Sequence, residues 1–195
     1  MRLELVAFSA LGSVLVLFST IPLVVCLAAG GPHLLEVAGD VEALNAIYLS
    51  FSAGTVSSLL ITLFGTPLAY LLSRQRSSLS RVVESFLEIP LAIPHSVAGI
   101  MVLLAYNSRA PLGSLLADLG LVVEDSYWGV VFAMVFVSSP IFIATMRAGF
   151  DSVDVELENV ARTLGASGLR TFLEVSLPLA LRHLAAGFIL SLARA

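Results

Sequence analysis

The sequence contains no lysine; all ten of its basic residues are arginine. A nucleotide-binding P-loop needs a lysine to reach the phosphates. This chain therefore carries no such loop, and any ATP-driven work needs a second chain to bind the nucleotide. Charge of either sign is scarce. Charged residues make up 12% of the chain and hydrophobic residues 58%, whereas a soluble domain has about 25% charged residues. The net charge of −4 lacks the basic footprint of a nucleic-acid binder. The single cysteine, Cys26, excludes an intrachain disulfide. It follows Leu23, Val24 and Val25 rather than the small residues that precede a lipidated cysteine, and it reads as a small apolar packing residue. Catalytic signatures are missing as well. His33, His95 and His183 are far apart, and there is no HExxH, cysteine pair or GxSxG. No catalytic residue and no metal site is expected.

What is present is apolar length. Four charge-free stretches, Leu5 to Pro32, Ala43 to Ser73, Ile89 to Ser108 and Ser126 to Met146, match the roughly 20 residues that cross a bilayer. The first is too long for the apolar core of a signal peptide, about 7–15 residues, and reads as a retained anchor. A fifth run begins near Leu184 and reaches Ala193 before Arg194. Ten helical residues cover about 15 Å, half of a hydrocarbon core, so the expectation is a C-terminally incomplete chain. The fold class expected is all-α and polytopic, with four complete transmembrane helices and a truncated fifth in a single domain over 1–195.

The arginines suggest an orientation. Arg2 precedes the first run. Arg74, Arg76 and Arg81 crowd the connection after the second, and Arg147, Arg162, Arg170 and Arg182 follow the fourth. The remaining loops hold Arg109 alone. Arginine-rich loops stay cytoplasmic, which puts the N-terminus inside.

Within the second run, Ala46, Ser50, Gly54, Ser58 and Thr62 recur every fourth position, a small face that lets helices approach closely. Packing within the chain is the plainer reading, a seam with a second subunit the other. The third run opens "LEIPLAIPHSVAGI". Pro90 and Pro94 each remove a donor and clash one turn back, so a kink freeing the Phe86 and Pro90 carbonyls is expected. His95 and Ser96 follow directly. Polar residues at a broken helix read equally as a transport pathway or gate and as structural glue for freed carbonyls. Glu84 and Glu88 are expected to be solvated at the interface and neutralised by Arg81.

The segment over about 151–180 differs in kind. Asp154 can cap a helix, with Glu156 and Glu158 in its first turns. Val153, Leu157, Val160, Ala161 and Leu164 recur on one face. Gly165 supplies a left-handed stop, with Gly113 in an outer loop as a comparison glycine. Ser167 can cap a second helix carrying Leu169, Phe172 and Leu173, and Pro178 ends it. The result is a short helical hairpin that has to pack on the membrane domain and on something in the cytoplasm. A DNA-reading helix–turn–helix is the soluble alternative, but its acidic first helix would repel phosphates.

The spacing of this hairpin resembles the cytoplasmic signature of permease subunits of binding-protein-dependent ABC importers. Asn159, Val160 and Ala161 fill the E-A-A places, followed by Gly165, Val175, Leu177 and Pro178. The family usually has glutamate where Asn159 stands and alanine where Val160 stands; Glu158 lies one residue early. "EIPLAIPHSVAGIMVLL" is similar to the molybdate/tungstate permeases, with the sulfate permeases as near relatives. The resemblance implies a transporter subunit of the prokaryotic inner membrane, not an enzyme. Its partners would be ATPase subunits that bind ATP and Mg, a second permease copy, and an extracytoplasmic binding protein. It implies that Asn159, Val160, Ala161, Gly165, Leu177 and Pro178 couple to the ATPase. Pro90, Pro94, His95 and Ser96 are the candidate pathway or gate. An ATP-independent channel or secondary transporter would need mid-span carboxylates, and none occurs in the four complete runs.

Overall fold

The computed structural model describes residues 2–75 and 77–195, so Arg76 of the orientation argument lies outside the described residues. The described residues are helical apart from turns and short links, with no strand among them. They divide into two compact units, Met1–Tyr48 and Leu49–Ala195. The first contains α1 (Arg2–Gly30), a 3-10 turn (Gly31–His33), α2 (Leu34–Val37) and the start of α3 (Val41–Arg74). Over Phe8–His33 it is apolar enough to cross a membrane and none of it is buried.

The second unit holds the rest of α3, α4 (Ser78–Ala92), α5 (His95–Tyr106), α6 (Pro111–Asp118), α7 (Tyr127–Asp151), α8 (Val155–Thr163), α9 (Gly168–Thr171), a π-helical turn (Phe172–Ser176), α10 (Leu177–Leu179) and α11 (Leu181–Arg194). Its core gathers Ile61, Ala69 and Leu72 of α3, Phe142, Ile143, Met146 and Phe150 of α7, then Val153 and Ala180. Between lipid-facing helices the driving force is close packing rather than escape from water, so small residues mark the contacts. Phe142 is fully buried. A Cβ placed on Gly65 would lie 2.9 Å from its ring, and one on Gly187 3.0 Å. The ring is therefore held between glycine surfaces of α3 and α11. Gly149 of α7 lies under His183, whose Cβ would be 2.5 Å from a Cβ added there. Hydroxyls in these helices turn back on their own backbone: Thr62 donates to the Ser58 carbonyl and Thr66 to that of Thr62, at 2.7 and 2.6 Å.

The small face of α3 packs within the chain where it is buried. Gly54 faces Leu192 and Ala195, and the neighbouring Ser57 hydroxyl reaches across to the Val131 carbonyl of α7 at 3.1 Å. Ala46 and Ser50 are exposed.

One expectation is refined and one needs correction. Ile89–Ser108 breaks, as its two prolines lead one to expect, but at the second of them. Pro90 is accommodated inside α4, and the break falls one turn later at Ile93 and Pro94, where Pro94 holds an extended ψ of 141° before α5. α5 and α6 then bend by 74°. Among the described residues, three helices are long and apolar enough to cross a membrane, or up to five if each bent pair counts as one crossing. Second, Glu84 pairs with Arg147 of α7 at 2.6 Å, not with Arg81, which donates to Ser78 instead. Helical spacing on one element could not reveal a partner on another.

The Gly149–His183 contact sets a test. Gly149→Ala puts two Cβ atoms in conflict and neither is the end of a flexible chain. It should destabilise the fold by about 1–3 kcal/mol, read as a lower unfolding temperature in detergent. Gly99→Ala, whose Cβ would meet nothing within 4 Å, should leave that temperature unchanged.

Candidate functional site

The hairpin begins where α7 ends. Asp154 is the N-cap of α8, its side chain accepting the Glu156 amide at 2.9 Å. α8 stops with a double return: the Ala166 amide donates to the Ala161 carbonyl and the Gly165 amide to that of Arg162, at 3.0 and 2.9 Å. Gly165 takes φ +93°, which a residue with a Cβ adopts only under strain. Ser167 caps α9, accepting the Arg170 amide at 3.3 Å. The chain then widens into the π-helical turn, where the Leu177 amide donates to the Phe172 carbonyl. Pro178 sits in the first turn of α10, where a missing amide is harmless. The hairpin bends by 74° into α11 at Ala180.

Helical spacing left open which face of α8 turns inward, and the structure decides it. Val153, just before it, is buried, but Leu157, Val160 and Leu164 are 48, 53 and 84% exposed. The residue turned inward is Glu158, at 1% exposure. Its Oε1 accepts Nε and Nη2 of Arg74 at 3.0 and 2.7 Å and the Ser176 hydroxyl at 2.8 Å. Its Oε2 accepts the Tyr70 hydroxyl at 2.9 Å, with Arg162 at 3.8 Å. Arg74 extends the network, Nη1 donating to the Phe150 carbonyl and Ser73 hydroxyl, each at 3.0 Å, and Nη2 to the Val153 carbonyl at 3.4 Å. Tyr70 packs its ring on Phe150 and Phe172, with centroids 5.3 and 4.9 Å apart. Burial works to raise the Glu158 pKa. The hydrogen bonds from Arg74, Ser176 and Tyr70, with the charge of Arg74, outweigh it and hold the carboxyl below its ordinary value.

The sequence-selected coupling residues lie outside this network. Asn159, Val160, Gly165 and Pro178 are exposed, and Ala161 and Leu177 are half-buried. Asn159 makes one long side-chain hydrogen bond, to Glu156 at 3.4 Å. Leu157, Val160, Leu164 and Leu169 are exposed apolar side chains of the hairpin, while Leu177 packs against the core. Glu158, set aside in the motif alignment because it stands one place early, is the residue that fixes the hairpin. The one signal available for it was its distance of four residues from Arg162.

The pathway candidates separate. Pro90 is buried, and Pro94, His95 and Ser96 are exposed. The Pro90 carbonyl receives the Ile93 amide at 3.4 Å, so that bond is made by backbone rather than by the His95 ring. His95 lines a cavity of about 630 Å³ with Val102, Asp125, Tyr127, Met134 and Arg194, while Pro90, Pro94 and Ser96 do not. Arg194 is tied there through Nε to the Val137 carbonyl at 3.2 Å. Among the described residues no group of histidine, cysteine and carboxylate side chains has metal-binding geometry.

Two outcomes follow from the hairpin. A carboxylate whose pKa is depressed by folding contributes stability that is present above its unfolded value, about 4.3, and lost as pH falls through the folded value. In a Cys26→Ser background, a spin label at Leu169→Cys should be immobile at neutral pH and gain mobility only once pH has fallen below the ordinary carboxylate value. Glu158→Gln should be mobile throughout, because it leaves Arg74 partly buried without its counter-ion, a loss of about 3–5 kcal/mol. The Gly165 corner gives the second. Gly165→Val should strain the turn by at least about 1–2 kcal/mol with no steric clash, since nothing lies within 4 Å of its Cβ. The label should report a tilted second helix. Gly168→Ala is the fitting comparison, and Gly113 is not: a Cβ there would lie 1.9 Å from the Asn107 carbonyl.

Comparison with known proteins places this geometry. Residues 61–195 match the family described as binding-protein-dependent transport system inner membrane component. The molybdate/tungstate transport system permease protein of Pyrococcus abyssi is 39% identical over 190 residues, covering 96% of this chain and 71% of that one. Its counterpart in Pyrococcus furiosus is 41% identical over 199 residues, covering 97% and 72%. The sulfate transport system permease protein CysT of Synechococcus elongatus is 32% identical over 143 residues, covering 73% of this chain and 51% of that one. Such proteins are membrane-embedded subunits of transporters, not enzymes. The match takes in the core of α3, α7 and α11 and the whole hairpin, and on it the chain belongs to the family of binding-protein-dependent transport system inner membrane components.

Proposed function

We propose that this chain is the permease subunit of an ATP-driven importer for a tetrahedral oxyanion, molybdate or tungstate. The observation that carries the coupling half of this reading is the outward apolar face of the hairpin. An amphipathic element that buries its charge and exposes Leu157, Val160 and Leu164 is built to be covered by another protein. The partner with that role is an ATPase subunit holding ATP and Mg. Asn159, Val160, Ala161, Gly165, Leu177 and Pro178 shape the surface it grips. A second copy of the permease and an extracytoplasmic binding protein complete the assembly in the inner membrane of a prokaryotic cell. Residues 1–195 belong to one permease domain in this reading, with the N-terminus in the cytoplasm.

The oxyanion rests on the relatives named for molybdate and tungstate transport at 39 and 41% identity. Sulfate is the second reading, supported by the sulfate relative at 32%. His95 and Arg194 on the wall of one cavity are the side chains suited to an anion in passage, with Pro90, Pro94 and Ser96 shaping the helix break beside them.

Purified permease, its ATPase and its binding protein in liposomes should take up molybdate only with ATP and loaded binding protein. Uptake of sulfate in preference to molybdate would reassign the substrate, and uptake without ATP would remove the importer reading altogether. Orientation has its own test. In the Cys26→Ser background, cysteines at Ser78 and Leu164 should react only with cytoplasmic reagent, and one at Asp118 only from outside. The opposite pattern would reverse the topology.

A further inference from the structure

The proposed function says where a partner grips the hairpin, not how its movement reaches the membrane. The outward side chains that a partner would cover make none of the hydrogen bonds that tie the hairpin to the spans. Leu157, Val160, Leu164 and Leu169 are all exposed. The ties lie on the opposite side of α8 and converge on one carboxylate. Glu158 receives two guanidinium nitrogens of Arg74 and the hydroxyls of Tyr70 and Ser176. Arg74 and Tyr70 stand one turn apart at the end of α3. Arg74 also holds the Phe150 and Val153 carbonyls at the end of α7.

We propose that Arg74 is a positioning residue of the transport cycle: its fork makes α8 and the end of α3 one rigid body, so that displacement of the hairpin is delivered into α3. This rests on the importer reading above. The physical reason is directionality. Apolar contact is non-directional and lets surfaces slide, whereas two guanidinium nitrogens converging on one carboxylate oxygen, Oε1 of Glu158, constrain orientation as well as distance. A lysine would keep the charge but not the fork. α3 then passes the motion inward, because its Gly65 lies against Phe142 of α7 in a core that does not deform continuously.

The test separates transmission from simple anchoring. In liposomes holding permease, ATPase and binding protein, Arg74→Lys should bind the ATPase within about twofold of the wild type. At saturating ATPase, molybdate imported per ATP hydrolysed should fall at least about fivefold. Tyr70→Phe and Ser176→Ala, each removing one bond to Glu158, should give smaller falls in the same ratio. Arg109→Gln, in an exposed loop, should give none. If Arg74→Lys weakens docking but restores a normal ratio at saturation, Arg74 is only an anchor and the proposal is wrong. An unchanged ratio in all three variants is equally fatal. Should Arg74→Lys fail to fold, the tyrosine and serine variants decide by the same ratio. A readout without the ATPase guards against failure of the importer reading itself. In permease alone, spin labels at Leu63→Cys and Leu164→Cys should give a narrow distance distribution that broadens in Arg74→Lys or Tyr70→Phe. Equal widths would refute the rigid link even if the transporter proves to be of another kind.

Discussion

The second unit depends on one buried carboxylate having enough donors. Glu158 lies outside the apolar core, on an element that contributes little to that core, and a lone charge there would be untenable. Three side chains from two other segments make it tenable. The same guanidinium also reaches the Phe150 and Val153 carbonyls where α7 gives way to α8, a helix terminus whose polar groups have to be placed somewhere. One contact thus closes two accounts that the spans and the hairpin could not settle separately. α8 keeps its place through this carboxylate while Phe172 and Leu177 pack the second half of the hairpin on the core, which leaves Leu157 and Leu164 free to face outward.

Inside the spans the logic is the reverse. There most polar groups are kept local, Ser57 and Arg194 being the ones that reach a carbonyl of α7, and the closest contacts between helices are made by shape. Thr62, Thr66 and Thr145 each return a hydroxyl to the carbonyl four residues back, a habit that removes donors from lipid. Close approach is left to glycine: Gly65 and Gly187 against Phe142, and Gly149 under His183. Polar ties at the end of α3 and smooth packing in its middle divide the helix into an end that is gripped and a middle that is fitted.

Much of this was legible in the residues. Apolar length and missing lysine gave the class, and the caps at Asp154, Gly165 and Ser167 fall where their chemistry put them, because capping is a local matter. Direction was not legible. Helical spacing finds two faces on α8 but does not say which turns inward when the outside is another apolar surface. The same limit hid the Glu84–Arg147 pair, which joins elements more than 60 positions apart in the chain. Which of the two prolines breaks Ile89–Ser108 was likewise open: Pro90 sits inside α4 and Pro94 separates it from α5. His95 reaches a cavity wall only because of that break.

The π-helical turn at Phe172–Ser176 makes length itself a structural constraint. Its wider loop, closed by the Leu177 amide on the Phe172 carbonyl, accommodates one residue more than an α-helical turn would. That residue's worth of rotation, about 100°, is what aims the Ser176 hydroxyl at Glu158. A one-residue deletion between Gly165 and Pro178 would let the turn relax to α-helix and swing one side of the hairpin away from the other. Substitutions in this stretch are errors of local fit, but an insertion or deletion is an error of phase, felt by every residue on the far side of it. The interval between the glycine and the leucine–proline pair is a spacer measured in angle, which explains why a spacing rather than a string of identities is what made the hairpin recognisable.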